Sequence, residues 1–153
     1  MNKKYVYAVL VTILFSVTAG MVYIETESED ARATINLKIQ EDNQDNTWRI
    51  KSNNGRRNMG TINTNRSDKD RIFWQAIRSD VYFSFDKNVN DYFTFDEGLF
   101  EDGYTQRLGA NEKLRLEVLE TAPADTLTYT VFVIGAGQYV VGNSPPRIVI
   151  LGR

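Results

Sequence analysis

Arg71-Ile-Phe-Trp-Gln-Ala-Ile-Arg-Ser-Asp-Val-Tyr-Phe-Ser-Phe-Asp86 joins two dense apolar and aromatic runs through a polar corner at Arg78, Ser79 and Asp80. Successive side chains of an extended strand point to opposite faces. Ile72, Trp74 and Ala76 therefore share one side of the first run, and Val81, Phe83 and Phe85 one side of the second. The stretch predicts two consecutive core strands. No other segment carries as much large apolar surface per residue, so it marks the centre of one packed β domain.

Upstream of this centre, Ala33 to Ile39 alternates strictly, with Ile35, Leu37 and Ile39 against Thr34, Asn36 and Lys38, the pattern of a half-buried strand. Glu41 to Asn46 reads as a polar turn and Trp48 to Lys51 as a short strand. Ser52-Asn-Asn-Gly55 is a hairpin signal, since Asn and Gly tolerate the positive φ of tight turns, with a partner strand near Asn58 to Asn63. Apolar content is low here, which predicts edge strands. Asn65 to Asp70 is a charged loop.

Downstream, Asp86 to Asp91 reads as a loop, followed by Tyr92-Phe-Thr-Phe95 and an acidic, glycine-containing stretch from Asp96 to Gly103. In Lys113 to Glu120, Leu114, Leu116 and Val118 point inward against Arg115, Glu117 and Leu119. Thr121 to Thr126 turns, and Leu127 to Ile134 is a continuous β-prone run expected to be central and covered on both faces. Gly135 to Gly137 turns the chain into Gln138 to Val141, Gly142 to Pro146 breaks it, and Arg147 to Leu151 is the last strand. About eight short strands with no convincing amphipathic helix predict an all-β fold, an antiparallel sandwich or barrel.

The chain has 153 residues, one domain's worth on a prior of roughly 100–200 residues per domain. Its 42% hydrophobic and 25% charged content is that of an ordinary globular protein, not a disordered or low-complexity one. The formal charge is −2, and from Glu25 onward 16 basic groups face 20 acidic ones, which disfavours bulk attraction to nucleic acid. There is no Cys and no His. That excludes disulfides, thiolate chemistry, imidazole acid-base catalysis and metal sites built on sulfur or imidazole.

Lys3 and Lys4 precede the uncharged run Tyr5 to Ile24, about long enough to cross a bilayer as a helix. It reads equally as a signal peptide, with small residues at Val17-Thr-Ala-Gly20 for cleavage, or as a retained transmembrane anchor. A lysine pair ahead of an uncharged stretch suits membrane targeting better than a buried core helix. The expected organisation is a leader at 1–24, an acidic tether at 25–32 and a β-sandwich at 33–153, with the body outside the cytoplasm.

The pieces from Asp70 onward carry a resemblance. Asp70-Arg-Ile-Phe-Trp74, Leu114-Arg-Leu-Glu-Val118, Thr128-Tyr-Thr-Val-Phe-Val133 and Arg147-Ile-Val-Ile150 together resemble the second half of the cupredoxin-like Greek-key sandwich. Ser79-Asp-Val-Tyr-Phe83 paired with Ser144-Pro-Pro-Arg-Ile-Val-Ile150 is similar, more narrowly, to copper-free bacterial cupredoxin-like domains of unknown role. Where that family holds copper it uses two histidines, a cysteine and usually a methionine, mostly between the final strands. This chain has Gly135 to Gly142 there, and its methionines are Met1, Met21 and Met59. The resemblance thus implies the fold without blue-copper electron transfer.

Several charged groupings invite chemistry, each beside a plainer reading. Asp80, Asp86, Asp91, Asp96, Glu97, Glu101 and Asp102 face only Lys87, and Asp96 to Asp102 could hold calcium, although the spacing is not an EF-hand's. Solvated loop charge is the plainer reading. Paired acids also raise glycoside hydrolysis, with Tyr82, Tyr92, Phe93, Phe100 and Tyr104 available to stack on sugar, yet aromatics at strand spacing usually pack in the core.

Arg49, Lys51, Arg56, Arg57, Arg66, Lys69 and Arg71 face only Asp68 and Asp70, a patch that could steer a charged partner or anionic glycan, unless neighbouring loops compensate it. Ser144-Pro-Pro146 suits a stop before the last strand better than a proline-rich ligand. Serine nucleophiles would need a lysine base, and no Ser-Lys spacing stands out. No phosphate-cradling glycine loop is present.

No residue is therefore assigned a catalytic, cofactor or metal role. The expected function is a non-catalytic extracytoplasmic binding or assembly module for a protein or glycan ligand, touching membrane through its N-terminal segment if uncleaved. The alternatives are an acid-only glycan-active enzyme or a calcium-dependent adhesion domain.

Overall fold

The apolar alternation builds eleven strands among the residues that the computed structural model describes, 32–54, 59–142 and 145–152. The expectations for the leader, the tether as far as Ala31, the turn residues Gly55 to Asn58 and Ser144 lie outside them. The strands are β1 (Thr34–Asp42), β2 (Thr47–Ser52), β3 (Thr61–Asn65), β4 (Arg71–Ala76), β5 (Val81–Phe85), β6 (Phe93–Thr94), β7 (Thr105–Leu108), β8 (Lys113–Val118), β9 (Asp125–Val133), β10 (Gln138–Tyr139) and β11 (Arg147–Leu151). The helical content among the described residues is one 3₁₀ turn, Val89–Asp91, capped by the Asn88 side chain accepting from the Asn90 amide. No described helix is long and apolar enough to cross a membrane.

The strands form two sheets, the first in the order β2-β1-β4-β8-β6 and the second β3-β11-β9-β5-β7, with β10 also paired to β9. Most pairs are antiparallel, but β1 runs parallel to β4 and β3 parallel to β11. The fold is the expected all-β sandwich of two sheets, with these two parallel pairs added to the expected antiparallel pairing. The two central strands lie where the sequence puts them, β4 in the first sheet and β5 in the second. The polar corner at Arg78 to Asp80 carries the chain from one to the other. Their inward side chains meet across the core, where Trp74 packs edge-on to Phe83 and to Tyr129, each with ring centroids 5.8 Å apart. The Trp74 Nε1–H donates to the buried Tyr129 hydroxyl at 3.3 Å.

Two expectations are corrected. The segment after Ser52-Asn-Asn-Gly55 does not return to β2. It becomes β3, an edge strand of the opposite sheet lying beside β11: the Met59 amide donates to the Ile50 carbonyl of β2 at 2.8 Å, and the chain then leaves β2's open edge because Ile62 and Thr64 bury against the second sheet's core. The run Leu127 to Ile134 is central but covered on one face only. Leu127, Tyr129, Val131 and Val133 are buried, while Thr130 and Ile134 are exposed and Thr128 and Phe132 half-buried. The run alternates, and the threonines disguise it as uniformly β-prone. Strand β7 was not anticipated, since Thr105-Gln-Arg-Leu108 has little apolar signal of its own.

One polar group is built into the core edge. Asp70, 5% exposed, accepts the Ala33 amide at 2.8 Å and the Asn65 amide at 2.8 Å. It thereby ties the start of β1, in the first sheet, to the end of β3, in the second.

Candidate functional site

The acids between positions 80 and 102 are dispersed by the fold. Asp80 accepts Arg107 Nη2 at 2.6 Å and the Ala110 amide at 2.9 Å. The Arg107 hydrogen bond holds its carboxyl below the usual range. Asp86 is taken up by Thr128, whose amide and hydroxyl donate at 2.9 and 2.7 Å. Asp102 accepts the Thr105 hydroxyl and the amides of Tyr104 and Thr105, both at 2.7 Å, and these bonds, the hydroxyl first, lower its pKa. Oxygens already receiving backbone N–H groups are turn-builders. Among the described residues no group of three or more acids is gathered to hold a metal ion.

The acidic loop is organised from beneath. Phe100 takes a left-handed φ of 50°, unusual for a bulky residue, and its amide donates to Gln106 Oε1 at 2.8 Å. Its ring is buried between Phe85 and Phe95, at 5.5 and 5.4 Å. Gly103, with φ 76°, fits against Asn88 where a Cβ would collide with the side-chain amide. Tyr92, Phe93 and Phe100 are core residues, whereas Tyr82 and Tyr104 are exposed.

A second network fastens the start of β9. Asp125 receives Lys87 Nζ at 2.6 Å on each oxygen, the Tyr92 hydroxyl at 2.8 Å and the Thr126 amide at 2.7 Å. The Lys87 bond, then the Tyr92 bond, hold its pKa at about 2. In return, hydrogen bonding to Asp125 pushes Tyr92 up to about 12. Every polar atom here has a partner within the chain, which is the chemistry of a clasp.

The region where the cupredoxin resemblance would place copper does not fit that metal. The sequence contains no imidazole or thiolate donor. The loop after β9 also closes onto the β4–β5 corner, with the Gly135 amide donating to Ser79 Oγ at 3.2 Å and a Cβ at Gly135 placed only 2.8 Å from that oxygen.

The arrangement that can hold a ligand lies on the outer face of the second sheet. Tyr82 of β5 is paired with Phe132 of β9, which is paired with Tyr139 of β10, so three aromatics stand in one straight row across three strands. Tyr82 is 41% exposed and Tyr139 60% exposed. The Phe132 and Tyr139 rings meet edge-to-face at 5.1 Å. The row continues on β7 to Arg107, the cross-strand partner of Tyr82. Beside it Ser84 faces Thr130 and Thr105, a line of hydroxyls.

Two shallow grooves flank this surface. One of about 250 Å³ is lined by Tyr82, Glu101, Asp102, Thr105 and Arg107 among others. The other, about 290 Å³, runs over Ser84, Asp86, Thr128 and Thr130 toward Pro145. Tyr82, Glu101 and Asp102 thus share one groove, while Asp91, Asp96 and Glu97 stand apart as exposed loop charge. Phe132 and Tyr139 escaped the sequence reading, and the signal that finds them is the outward register Thr128, Thr130, Phe132.

The basic stretch is partly compensated. Arg49 bridges Asp45 at 2.6 Å and Asp42 at 3.4 Å, Arg71 bridges Glu117 at 2.7 Å, Lys69 bridges Glu120 at 3.4 Å, and Arg66 donates to the Ala122 carbonyl at 3.0 Å.

No family model and no curated protein matches this chain. Among solved structures it is similar to one described as "Crystal Structure of Fet3p, a Multicopper Oxidase that Functions in Iron Import", with a TM-score of 0.38 and 9% identity over 78% of this chain and 27% of that one. This chain spans about a quarter of that oxidase chain, and so low a score carries no argument about activity.

Proposed function

We propose that this chain is a non-catalytic binding module that takes an oligosaccharide across the outer face of the second sheet. The observation that carries the reading is the solvent-facing row Tyr82–Phe132–Tyr139, held in register by three paired strands. Adjacent strands lie roughly 4.8 Å apart, so the row offers a flat aromatic platform about 10 Å long, a length that a short run of sugar rings covers. The rings supply stacking area, and Arg107, Glu101, Ser84 and Thr130 supply hydrogen-bonding groups along its margin. Such a margin of hydroxyls and charges suits a polyhydroxylated chain better than an apolar protein surface. An extracytoplasmic setting belongs to the same proposal and rests on the uncharged run Tyr5 to Ile24 behind Lys3 and Lys4.

The test is calorimetric titration of the full chain with a panel of neutral oligosaccharides. Tyr139→Ala and Tyr82→Ala should each weaken binding by about three- to tenfold, the loss of one stacked ring. Neither should lower the melting temperature appreciably, because both rings are exposed. Binding that ignores both substitutions, or no binding at all, refutes the proposal. If the titrated sugar instead appears as shortened products, and Glu101→Gln abolishes them, the chain is an enzyme using acids alone.

A further inference from the structure

On the opposite side of the sandwich, the outer face of the first sheet concentrates positive charge that the composition conceals. Leu37 and Ile39 point into the core, so Lys38 between them points out, and the pairing places it directly opposite Lys51 on one side and Gln75 on the other. Gln75 in turn faces Lys113. The row Lys51–Lys38–Gln75–Lys113 thus crosses four strands, about 14 Å at the usual strand spacing. The next row sets Asn36 against the half-buried Phe73 and Arg115.

Like charges directly opposite one another in a sheet destabilise it. This face nevertheless keeps six cations against three carboxylates. Asp42 is shared between Lys51, at 3.0 Å, and Arg49, which also bridges Asp45 at 2.6 Å. Glu117 is shared between Arg71 and Arg115, at 2.7 and 3.2 Å, and the first of these bonds holds its carboxyl below its ordinary range. Among the described residues neither Lys38 nor Lys113 has an acid partner, in a chain whose formal charge is −2.

We infer that the outer face of the first sheet binds an anionic polysaccharide, carboxylated or sulfated, laid across the strands along the row Lys51–Lys38–Gln75–Lys113. Charge complementarity selects a polyanion, and the amides of Asn36, Gln40 and Gln75 between the cations suit the hydroxyls that a sugar chain carries between its acidic groups. Among the described residues the exposed large apolar side chains, Tyr82, Tyr104, Ile134, Tyr139, Val141 and Leu151, lie on other elements, and Phe73 beside this row is half-buried, so this face offers a polyanion more than a lipid surface its contacts.

The experiment measures binding of the full chain to polygalacturonate and to heparin across a salt series, with duplex DNA and phosphatidylserine vesicles as competing polyanions. The expected result is binding to one or both polysaccharides that weakens with salt, and that Lys38→Gln with Lys113→Gln weakens further. Removing the two charges should lower the slope of log affinity against log salt by roughly two. Lys38→Gln alone should raise the melting temperature of the free protein by roughly 1–3 °C by removing the opposed pair, which also shows that the variant folds. Tyr139→Ala on the other face should leave this binding unchanged, so the two surfaces fail or succeed independently. The inference is overturned if neither polysaccharide binds at low salt, if the lysine substitutions change nothing, or if DNA or vesicles bind as tightly with the same lysine dependence.

Discussion

Replacing Asp70 by Asn tests whether one buried carboxylate holds the two sheets together at their shared edge. The side chain accepts two backbone amides from residues 37 and 5 positions away, each at 2.8 Å, and both amides belong to strand ends. A hydrogen bond to a charged group contributes about 1.5–3 kcal/mol, and leaving a buried donor unsatisfied costs about 1–3 kcal/mol. Asn keeps one acceptor oxygen, at neutral strength, and turns an NH₂ toward the other amide. The expected loss is therefore about 2–4 kcal/mol, of the order of 10 °C in melting temperature for a domain of this size.

Urea denaturation should show a lower midpoint with an unchanged slope, since the native surface is unaltered. Hydrogen exchange sharpens the assay. The Ala33 and Asn65 amides should lose protection, whereas the Val118 amide, which donates to the Asp70 backbone carbonyl at 2.9 Å, should keep it until global unfolding. A midpoint shift worth less than about 0.5 kcal/mol, with protection at Ala33 and Asn65 intact, would falsify the bracing role, because surface substitutions alone fall in that range.

Asp125→Asn should cost on the order of 1 kcal/mol at neutral pH, a modest figure because Asp125 and Lys87 are 32% and 36% exposed and their attraction is screened. With a folded pKa of about 2 against an unfolded value near 3.9, the aspartate's contribution is present above pH 4 and lost as pH falls from about 4 to about 2. Melts across that window should therefore be flatter in the variant. Tyr92, raised to about 12, should ionise closer to 10 once Asp125 is gone, and ultraviolet titration reads this directly. Gly103→Ala should destabilise by about 2–4 kcal/mol, because it puts a Cβ at a φ of 76° and displaces Asn88, the cap of the 3₁₀ turn. A melting midpoint equal to that of the parent would show that Asn88 moves aside freely.

The sheet faces divide cleanly into what local pattern reveals and what it hides. The inward registers of β4, β5 and β8 were legible because a period of two in large apolar residues has one explanation, a strand with one face on a core. In β9 the same period was hidden, since threonine on the outer positions is as β-prone as valine on the inner ones, and Phe132 looks like a core residue until its neighbour Tyr139 is seen covering it in the open. Ser52-Asn-Asn-Gly55 signalled a change of direction correctly in kind but not in destination. Turn chemistry constrains φ and ψ over a few residues, whereas the choice of sheet depends on where Ile62 and Thr64 can bury and on pairing with β11, far along the chain.

The candidate surfaces follow the same division. Sequence alone determined the all-β class, the two central strands and the absence of imidazole and thiolate chemistry, because these depend on residue identity and on spacings of two. Tertiary structure decided that Asp70 is a buried brace, that Asp102 builds a turn, that Tyr82, Phe132 and Tyr139 form one row, and that Lys38 faces Lys51. Each of those depends on a pairing register between segments separated along the chain, and register is set by the packing of the whole sandwich.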